Sequence, residues 1–514
     1  MQKLPIGLQS FKALREDNYL YVDKTFYIKE LVDRGKYYFL SRPRRFGKSL
    51  FLDTLRQAFL GRKKLFEGLY LYERWDWEKK YPVIHISFGA GVMRNLDELR
   101  DTMESFLIDW KNAFSIIYEK KSIKEKFKEA IQKAAEKYNN QVVVLIDEYD
   151  KPILDNITEL NKAKEIREEL KNFYSVLKDS DEYLKFVFIT GVTKFSKVSI
   201  FSGLNNLDDI TLERNYATIC GYTQSELEKN FADRLKGVDL SEVRRWYNGY
   251  SWGGEKVYNP FDILLFLSKK QFQNYWFETG TPTFLIKMLD ENKYYIPRIE
   301  EIKAGGEIIS SFELEALKIE TLLYQTGYLT IEKIEEILPY EYEYHLTYPN
   351  LEVKKAFTDS LLTFFSNDLV KKSENKISLV KKLRAKDFEG LREVFYSFFA
   401  SIPNDWYRKN QLSGYEGFYA SIFYCYFTAL GLEVKAEDAT NQGRLDMAVF
   451  FEGSCYIFEF KVVELIKDEN SALTQIKTKG YADKYKSQYD EIYLIGVEFS
   501  KEEKNIVGYE VEKF

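Results

Sequence analysis

Ser41-Arg42-Pro43-Arg44-Arg45-Phe46-Gly47-Lys48-Ser49 stands between a short aromatic and aliphatic run, residues 37–40, and a stretch of helical periodicity, residues 48–60. Strand, loop and helix in that order are the frame of a phosphate-binding P-loop. In such a loop, backbone N–H groups and the helix N-terminus cradle the phosphates. A lysine then pairs with the outer oxygens and a hydroxyl coordinates Mg2+. Phe46-Gly47-Lys48-Ser49 supplies the last part of the motif. Arg42 departs from it, standing where a P-loop usually has its first glycine. With Arg44 and Arg45 it makes the loop strongly cationic, which suits a polyphosphate, while Pro43 stiffens the turn.

The second half of such a site is a buried strand ending in two acids. Val142-Val143-Val144-Leu145-Ile146-Asp147-Glu148 has that form: a continuous apolar run, as in a parallel strand covered on both faces, then Asp-Glu. Asp147 is expected to hold Mg2+ and Glu148 to activate the attacking water. Read alone, the run could equally be a strand ending in two solvated acids. With Lys48 and Ser49 upstream, ATP is the expected ligand, contacted by Arg44, Arg45, Phe46, Gly47, Lys48, Ser49, Asp147 and Thr190. Thr190 ends the next predicted strand, residues 186–189, and two readings stay open: a hydroxyl near the γ-phosphate, or a cap on the turn with Gly191. Lys194 and Arg214 are candidate charge-stabilising fingers. A finger from a neighbouring subunit is a further alternative, so a homo-oligomer stays open too. A strand at 83–88 and helices at 96–119, 123–137 and 160–177 complete an α/β alternation. That alternation implies a parallel P-loop NTPase sheet with ligands at the carboxyl ends of its strands.

From about residue 222 the pattern becomes mainly helical, and from about residue 410 a second α/β pattern begins. It comprises a helix at 416–430, strands at 445–451 and 456–462, a helix at 473–485 and a strand at 491–497. The expected division is an ATPase domain at 1–221, a helical middle or lid region at 222–390, and a final α/β domain at 391–514. Asp446 opens the first of the two strands, and Glu459 and Lys461 lie two apart on one face of the second. A hairpin turning near Glu452-Gly453-Ser454 would set Asp446 beside Glu459. Charges in an otherwise apolar strand are costly to bury without partners or a metal. An internal ion pair of Lys461 with Glu459 or Asp446 is the alternative to a metal site. Asp446 and Glu459, with Glu416 as a third carboxylate, are the expected Mg2+ or Mn2+ ligands. Lys461 would stabilise the developing phosphorane charge or orient the attacking water, and Gln475 would contact the scissile strand.

The composition excludes other chemistries. Among 514 residues only two are histidine, His85 and His345, which removes His-based serine and cysteine hydrolases and most catalytic zinc sites. His85 lies in a strand-like run and is expected to be a core residue. The three cysteines are widely spaced, so buried thiols are expected rather than disulfides or zinc. No apolar run approaches the ~18 residues a bilayer span requires, and the N-terminus lacks the order of a secretory signal. A cytoplasmic protein without membrane contact is therefore expected. A net charge of −5 argues against a basic nucleic-acid coat but leaves local patches free to bind. The lysine-rich residues 120–137 also carry Glu125, Glu129 and Glu136 and are expected to form a solvated helix face.

With both sites assembled, the chain resembles the prokaryotic AAA-ATPase-like proteins that end in a PD-(D/E)XK nuclease domain. Over residues 3–220 the resemblance rests on Tyr21-Val22-Asp23-Lys24-Thr25, on Arg42-Pro43-Arg44-Arg45-Phe46-Gly47-Lys48-Ser49, and on Asp147-Glu148-Tyr149-Asp150-Lys151-Pro152. Trp246-Tyr247-Asn248-Gly249-Tyr250 and Tyr258-Asn259-Pro260 continue it. Over residues 410–500 it rests on Gly443-Arg444-Leu445-Asp446, Glu459-Phe460-Lys461 and Ala472-Leu473-Thr474-Gln475-Ile476. The resemblance makes the missing glycine a family trait. It implies a restriction-endonuclease-like C-terminal fold with Asp446, Glu459 and Lys461 as the nuclease triad and Glu416 and Gln475 as accessory residues. Relatives that process DNA ends often carry Gln-x-x-x-Tyr, whereas the fourth residue after Gln475 is Lys479, with Tyr481 beyond. The implied function is ATP hydrolysis coupled to metal-dependent cleavage of nucleic acid, DNA before RNA. The alternative is a nucleotide-switched signalling or remodelling ATPase whose last domain binds nucleic acid or a partner without cutting.

Overall fold

The computed structural model describes residues 2–194, 197–204, 206–277, 283–310, 317–366, 369–402, 416–440, 443–463 and 471–514. They form two compact units: Met1–Trp276 with Lys303–Asn350, and Phe277–Ile302 with Leu351–Phe514.

The first unit is built on a five-stranded parallel sheet of β1 (Tyr37–Ser41), β2 (Val83–Ser87), β3 (Val142–Asp147), β4 (Leu184–Gly191) and β5 (Asp208–Asp209), in the order β2-β3-β4-β1-β5. Every residue of β1 and β3 is buried, which is why both read as unbroken apolar runs. Register aligns the carboxyl ends: Ser87 pairs with Asp147, Ile146 with Ile189, and Leu40 with Thr190. His85 stands in β2, and burial lowers its pKa. The helix Leu96–Phe114 stops short of the expected 119 because Ser115 takes a left-handed conformation, φ 51°. Beyond it, the N–H groups of Glu119 and Lys120 donate to the Glu129 carboxylate at 3.0 and 3.1 Å instead of continuing the helix. Lys126 and Lys133 pair with Glu104 and Glu129 at 3.0 and 2.7 Å, so the lysine-rich segment is a helix face laced with ion pairs.

Beyond the sheet, β6 (Asn248–Tyr250) and β7 (Val257–Tyr258) form a two-stranded ribbon. The helix Pro260–Lys269 follows, started by Pro260 in its first turn and capped by Asn259, which accepts from the Phe261 N–H at 2.9 Å. The middle region is mainly helical, as expected, and it also carries the antiparallel pair β8 (Thr330–Leu338) and β9 (Glu341–Thr347), which the short strand Ile302–Ala304 extends to a three-stranded sheet. Its apolar residues Ile331, Ile334 and Ile337 recur every three positions, which mimics a helix in sequence.

The second unit packs helices against a mixed sheet of β10 (Glu433–Thr440), β11 (Gly443–Phe451), β12 (Ser454–Val463), β13 (Glu491–Ser500) and β14 (Ile506–Lys513), in that order. Only β12 and β13 run parallel. The helix Glu416–Ala429 is buried on every side from Phe418 onward, as a helix apolar all round must be. Its Phe423 stacks on Phe395 with ring centroids 3.6 Å apart and lies 4.9 Å from Phe460, fastening the helix to β12. Strands β10 and β14 flank the expected core and are absent from the sequence reading.

Candidate functional site

In the first unit, the loop joining β1 to the helix Lys48–Phe59 is held from within by Arg42. This side chain is fully buried, and its guanidinium donates to the carbonyls of Ser41, Thr211 and Tyr216 at 2.8, 2.9 and 3.0 Å. It also lies 4.1 Å from the ring centroid of Trp252, and burial lowers its pKa to about 10. The residue that replaces the usual glycine therefore works as an internal strut. Lys48 donates to the carbonyls of Arg42 and Pro43 at 2.8 and 2.9 Å, closing the loop on itself. Burial lowers its pKa, while Asp147 and Glu148 act in the opposite direction. Gly47 caps the helix at φ 92°, and a Cβ there would meet no atom within 4 Å, so glycine is needed for conformation rather than for space.

Arg44 and Arg45 are exposed, with Arg45 stacked 4.8 Å over Phe261. The Arg44 carbonyl accepts from Asn259 Nδ2 at 3.4 Å and from Trp276 Nε1 at 3.2 Å. Phe46 meets Tyr250 and Trp252 edge-on, at 4.7 and 5.4 Å. At the carboxyl end of β3, buried Asp147 accepts from Thr190 Oγ1 at 2.6 Å, so the Thr190 hydroxyl is directed at the acid. Glu148 follows at φ 54°, a left-handed position for a non-glycine residue. Burial raises its pKa and Asp147 adds to that, against Lys48 and Arg44. Buried Asp150 accepts from Val192 N, Thr193 N and Thr193 Oγ1 at 3.2, 2.7 and 2.7 Å, tying the β3 end to the β4 end. Of the two finger candidates, Lys194 is paired with Asp209 at 3.0 Å, and Arg214 is exposed in a 3-10 turn.

The second unit brings Asp446 and Glu459 together as their spacing suggested. Strands β11 and β12 join through Glu452-Gly453, both at positive φ (45° and 80°), the two-residue turn whose twist matches a hairpin. Met447 pairs with Phe458, which sets Asp446 next to Glu459, and Asp446 Oδ2 accepts from the Phe460 N–H at 2.8 Å. Glu459 is 2% exposed, and Gln475 Nε2 donates to its Oε1, while its Oε2 is buried without a hydrogen-bond partner among the described residues. Gln475 lies on the helix Ala472–Thr478, which approaches the sheet closely because β13 carries glycine at 496. A Cβ there would sit 2.4 Å from the Leu473 nitrogen.

Burial raises Asp446 to about 7, with Glu416 adding to it against the Phe460 N–H. Burial and the Asp446 charge raise Glu459 to about 9. Glu416, at the start of its helix, is raised by partial desolvation and lowered by the charge of Lys461. A buried and a half-buried carboxyl side by side, with one oxygen unpartnered among the described residues, are oxygen donors suited to a hard divalent cation. Without such a charge at least one must hold a proton. The residues therefore fit a Mg2+ or Mn2+ ion.

Sequence reasoning missed how Tyr481 reaches this site. Gly480, at φ 55°, ends the Gln475 helix, and a 3-10 turn, Tyr481–Lys484, follows. Burial raises the Tyr481 pKa, with Glu459 and Asp446 adding to it and the Gln475 side chain opposing; its hydroxyl donates to the Arg444 carbonyl at 2.6 Å. Asn259, Trp252 and Trp276 were likewise missed as partners of the loop. The signal for Trp252 and Asn259 was present in residues 246–254 and 258–260, which carry no chemistry when read alone, while Trp276 lies in neither stretch.

The comparisons with known proteins agree with this geometry. Residues 5–201 match a family model described as a predicted AAA-ATPase, and residues 414–509 match one for the PD-(D/E)XK nuclease superfamily. An Azotobacter chroococcum mcd 1 protein, "Uncharacterized protein in vnfD 5'region", is 50% identical over 512 residues, covering 99% of each chain. The chain belongs to the AAA-ATPase-like family with a C-terminal PD-(D/E)XK nuclease superfamily domain. Strands β1–β4 with the β1 loop lie in the AAA-ATPase-like match, and strands β10–β13 with the start of β14 lie in the nuclease-superfamily match. Among the described residues no helix is long and apolar enough to cross a membrane.

Proposed function

We propose that this AAA-ATPase-like protein hydrolyses ATP at the β1 loop and couples hydrolysis to metal-dependent cleavage of nucleic acid, DNA before RNA, at the Asp446–Glu459 site. The observation that carries the nuclease reading is the unpartnered, buried Glu459 Oε2 beside Asp446. A binding-only domain has no use for that uncompensated pair, whose burial is costly.

In this reading Lys48 leaves the loop carbonyls for the phosphate oxygens, and Ser49 and Asp147 hold the Mg2+ that accompanies ATP. Thr190 fixes the Asp147 rotamer, and Glu148 orients the attacking water. At the second site Asp446, Glu459 and Glu416 would hold the cation. When bound, it polarises the phosphodiester and lowers the pKa of the attacking water. Gln475 fixes the Glu459 carboxylate, as partners of metal ligands commonly do. Lys461 stabilises the charge that develops on the phosphorane or orients the water. The chain then divides into an ATPase domain (1–221), a middle region (222–390) and a nuclease domain (391–514), acting in the cytoplasm, where its unpaired buried cysteines stay reduced.

The test is incubation with Mg2+ or Mn2+ and single- and double-stranded DNA and RNA, with and without ATP, beside Glu459→Ala. Cleavage that disappears in the variant and responds to ATP is expected. ATP hydrolysis without cleavage of any substrate would move the reading to a nucleotide-switched binding protein.

A further inference from the structure

The hairpin of β8 and β9 carries one of the two histidines in the chain and gathers acids around it. Glu335 of β8 stands directly opposite Glu343 of β9, and His345 lies two residues further on, on the same face of its strand. Like charges directly opposite each other destabilise a strand pair, so this register gains from a cation between the acids. His345 Nε2 stands 3.2 Å from Glu335 Oε2 and 3.0 Å from Glu343 Oε1. That nitrogen is buried and has no hydrogen-bond partner among the described residues, so the ring is aligned to donate to neither oxygen. All three side chains are half-buried, and one ligand atom from each lies within 4.8 Å of the others.

Two lysines neighbour the acids. Lys333 pairs with Oε1 of Glu335, which leaves Oε2 to the ring. Lys303 comes to 3.6 Å from Glu343 Oε1, beyond hydrogen-bond range, and an exposed ammonium at that distance is a weak counter-ion that a divalent cation displaces.

The spacing around His345 is that of a coordination shell. Two ligand atoms about 2.1 Å from one cation and about 90–110° apart lie roughly 3.0–3.4 Å from each other, a range that holds both His345 distances. We propose that Glu335, Glu343 and His345 form a site for Zn2+, with water completing the shell. The site is in the other unit from the Asp446–Glu459 pair and is independent of the ATP and nuclease readings. An imidazole nitrogen in the ligand set favours Zn2+ over Mg2+ and Ca2+, which take oxygen. The cation clips β8 to β9. Thr330, the first residue of β8, accepts from Ser251 N at 2.7 Å, and Ile334 packs so near Gly253 that a Cβ there would lie 3.2 Å from its Cδ1. The clip therefore braces the hairpin that supports the loop carrying Trp252.

The test is calorimetric titration of the full-length protein with Zn2+ in excess Mg2+, in a Glu459→Gln background that disables the other candidate cation site. One Zn2+ per chain is expected, and adding His345→Gln or Glu343→Gln should weaken its binding at least about tenfold. Thermal melting without Zn2+ checks that each variant is folded, and Zn2+ should raise the melting midpoint of the background protein but of neither ligand variant. Protein labelled with 13C at histidine tests the site without a ligand variant, because the chain has only two such rings. Zn2+ should shift one ring and leave the other, His85 of β2, in place. Absence of Zn2+ binding would overturn the proposal. So would Zn2+ affinity unchanged in either folded variant, or a titration in which neither ring or both rings move.

Discussion

Replacing Arg42 by glycine restores the residue that a P-loop usually has at this position, yet the structure predicts that it damages the protein. Three buried carbonyls, of Ser41, Thr211 and Tyr216, accept from this one guanidinium; the Tyr216 carbonyl also accepts from the Ile219 N–H at 3.2 Å, so the loss falls chiefly on the other two. Each acceptor left dry and unpaired costs roughly 1–3 kcal/mol, and losing the stack on Trp252 adds about 2 kcal/mol for a desolvated pair. The cost of burying the arginine charge, several kcal/mol, is recovered in the variant and offsets part of this. Glycine adds roughly 0.5–1 kcal/mol of backbone entropy to the loss. The net expectation is about 4 kcal/mol for Arg42→Gly. For Arg42→Lys, which keeps the charge but loses the planar fork and the stack, it is about 2 kcal/mol. Urea unfolding followed by tryptophan emission measures this directly. Six of the seven tryptophans (Trp75, Trp77, Trp110, Trp246, Trp252 and Trp276) lie in the first unit, so the signal reports chiefly on it. An Arg42→Gly midpoint equal to or above that of the wild type would refute the strut reasoning.

Thr190→Val removes the hydrogen bond to Asp147 while keeping the shape, so ATP turnover should fall about tenfold with little change in ATP affinity, as steady-state rates and calorimetry would show. A parallel loss of affinity would contradict the role given to the hydroxyl. Gly496→Ala sets a methyl group against the Leu473 backbone and should push Gln475 away from Glu459. The expected result is loss of cleavage with ATP hydrolysis in the absence of nucleic acid retained, at a stability cost of about 1–3 kcal/mol. Metal binding at the second site should release protons. With Glu459 near 9 and Asp446 near 7, the cation displaces between one and two protons at pH 7, and its affinity should rise with pH between 6 and 9. Mg2+ titrations in buffers of different ionisation enthalpy read this, with Glu459→Gln as the control, and a pH-independent affinity would count against metal at this pair.

Both candidate sites were legible because their residues are close in sequence or fixed by strand periodicity. The run Val142–Asp147 declares a doubly covered strand, and Glu452-Gly453 sets the hairpin register that brings Asp446 to Glu459. Illegible parts depend on distant contacts or on misleading periods. The β8 strand reads as a helix because Ile331, Ile334 and Ile337 recur every three residues, and its pairing with β9 decides the matter. Strand β10, with Glu433, Lys435, Glu437 and Asp438, has too little apolar surface to announce itself and forms because β11 offers an edge. Tyr481 falls out of the Gln-x-x-x-Tyr spacing in sequence, and only the left-handed Gly480 shows how it returns to the site.

The strut also explains why a P-loop can function without its first glycine. Glycine there ordinarily lets the backbone turn tightly around phosphate, and the loop's shape then comes from its own torsions. Here the shape is imposed from outside. Trp252 stacks on Arg42, Phe46 meets Tyr250 and Trp252, Asn259 and Trp276 both donate to the Arg44 carbonyl, and Gly327 lies so close that a Cβ there would come within 2.6 Å of Pro43. Those contacts come from residues 250–276 and 327, which sequence reasoning assigned to a separate lid. A loop held in this way cannot rearrange around phosphate without moving its clamps. If Lys48 exchanges the Arg42 and Pro43 carbonyls for phosphate, as proposed, those two carbonyls lose its ammonium as a donor, and the strut and its stacked tryptophan would have to answer for it. Under the proposed ATP reading, residues 250–276 and 327 would belong to the nucleotide site and give nucleotide state a physical route to the rest of the first unit.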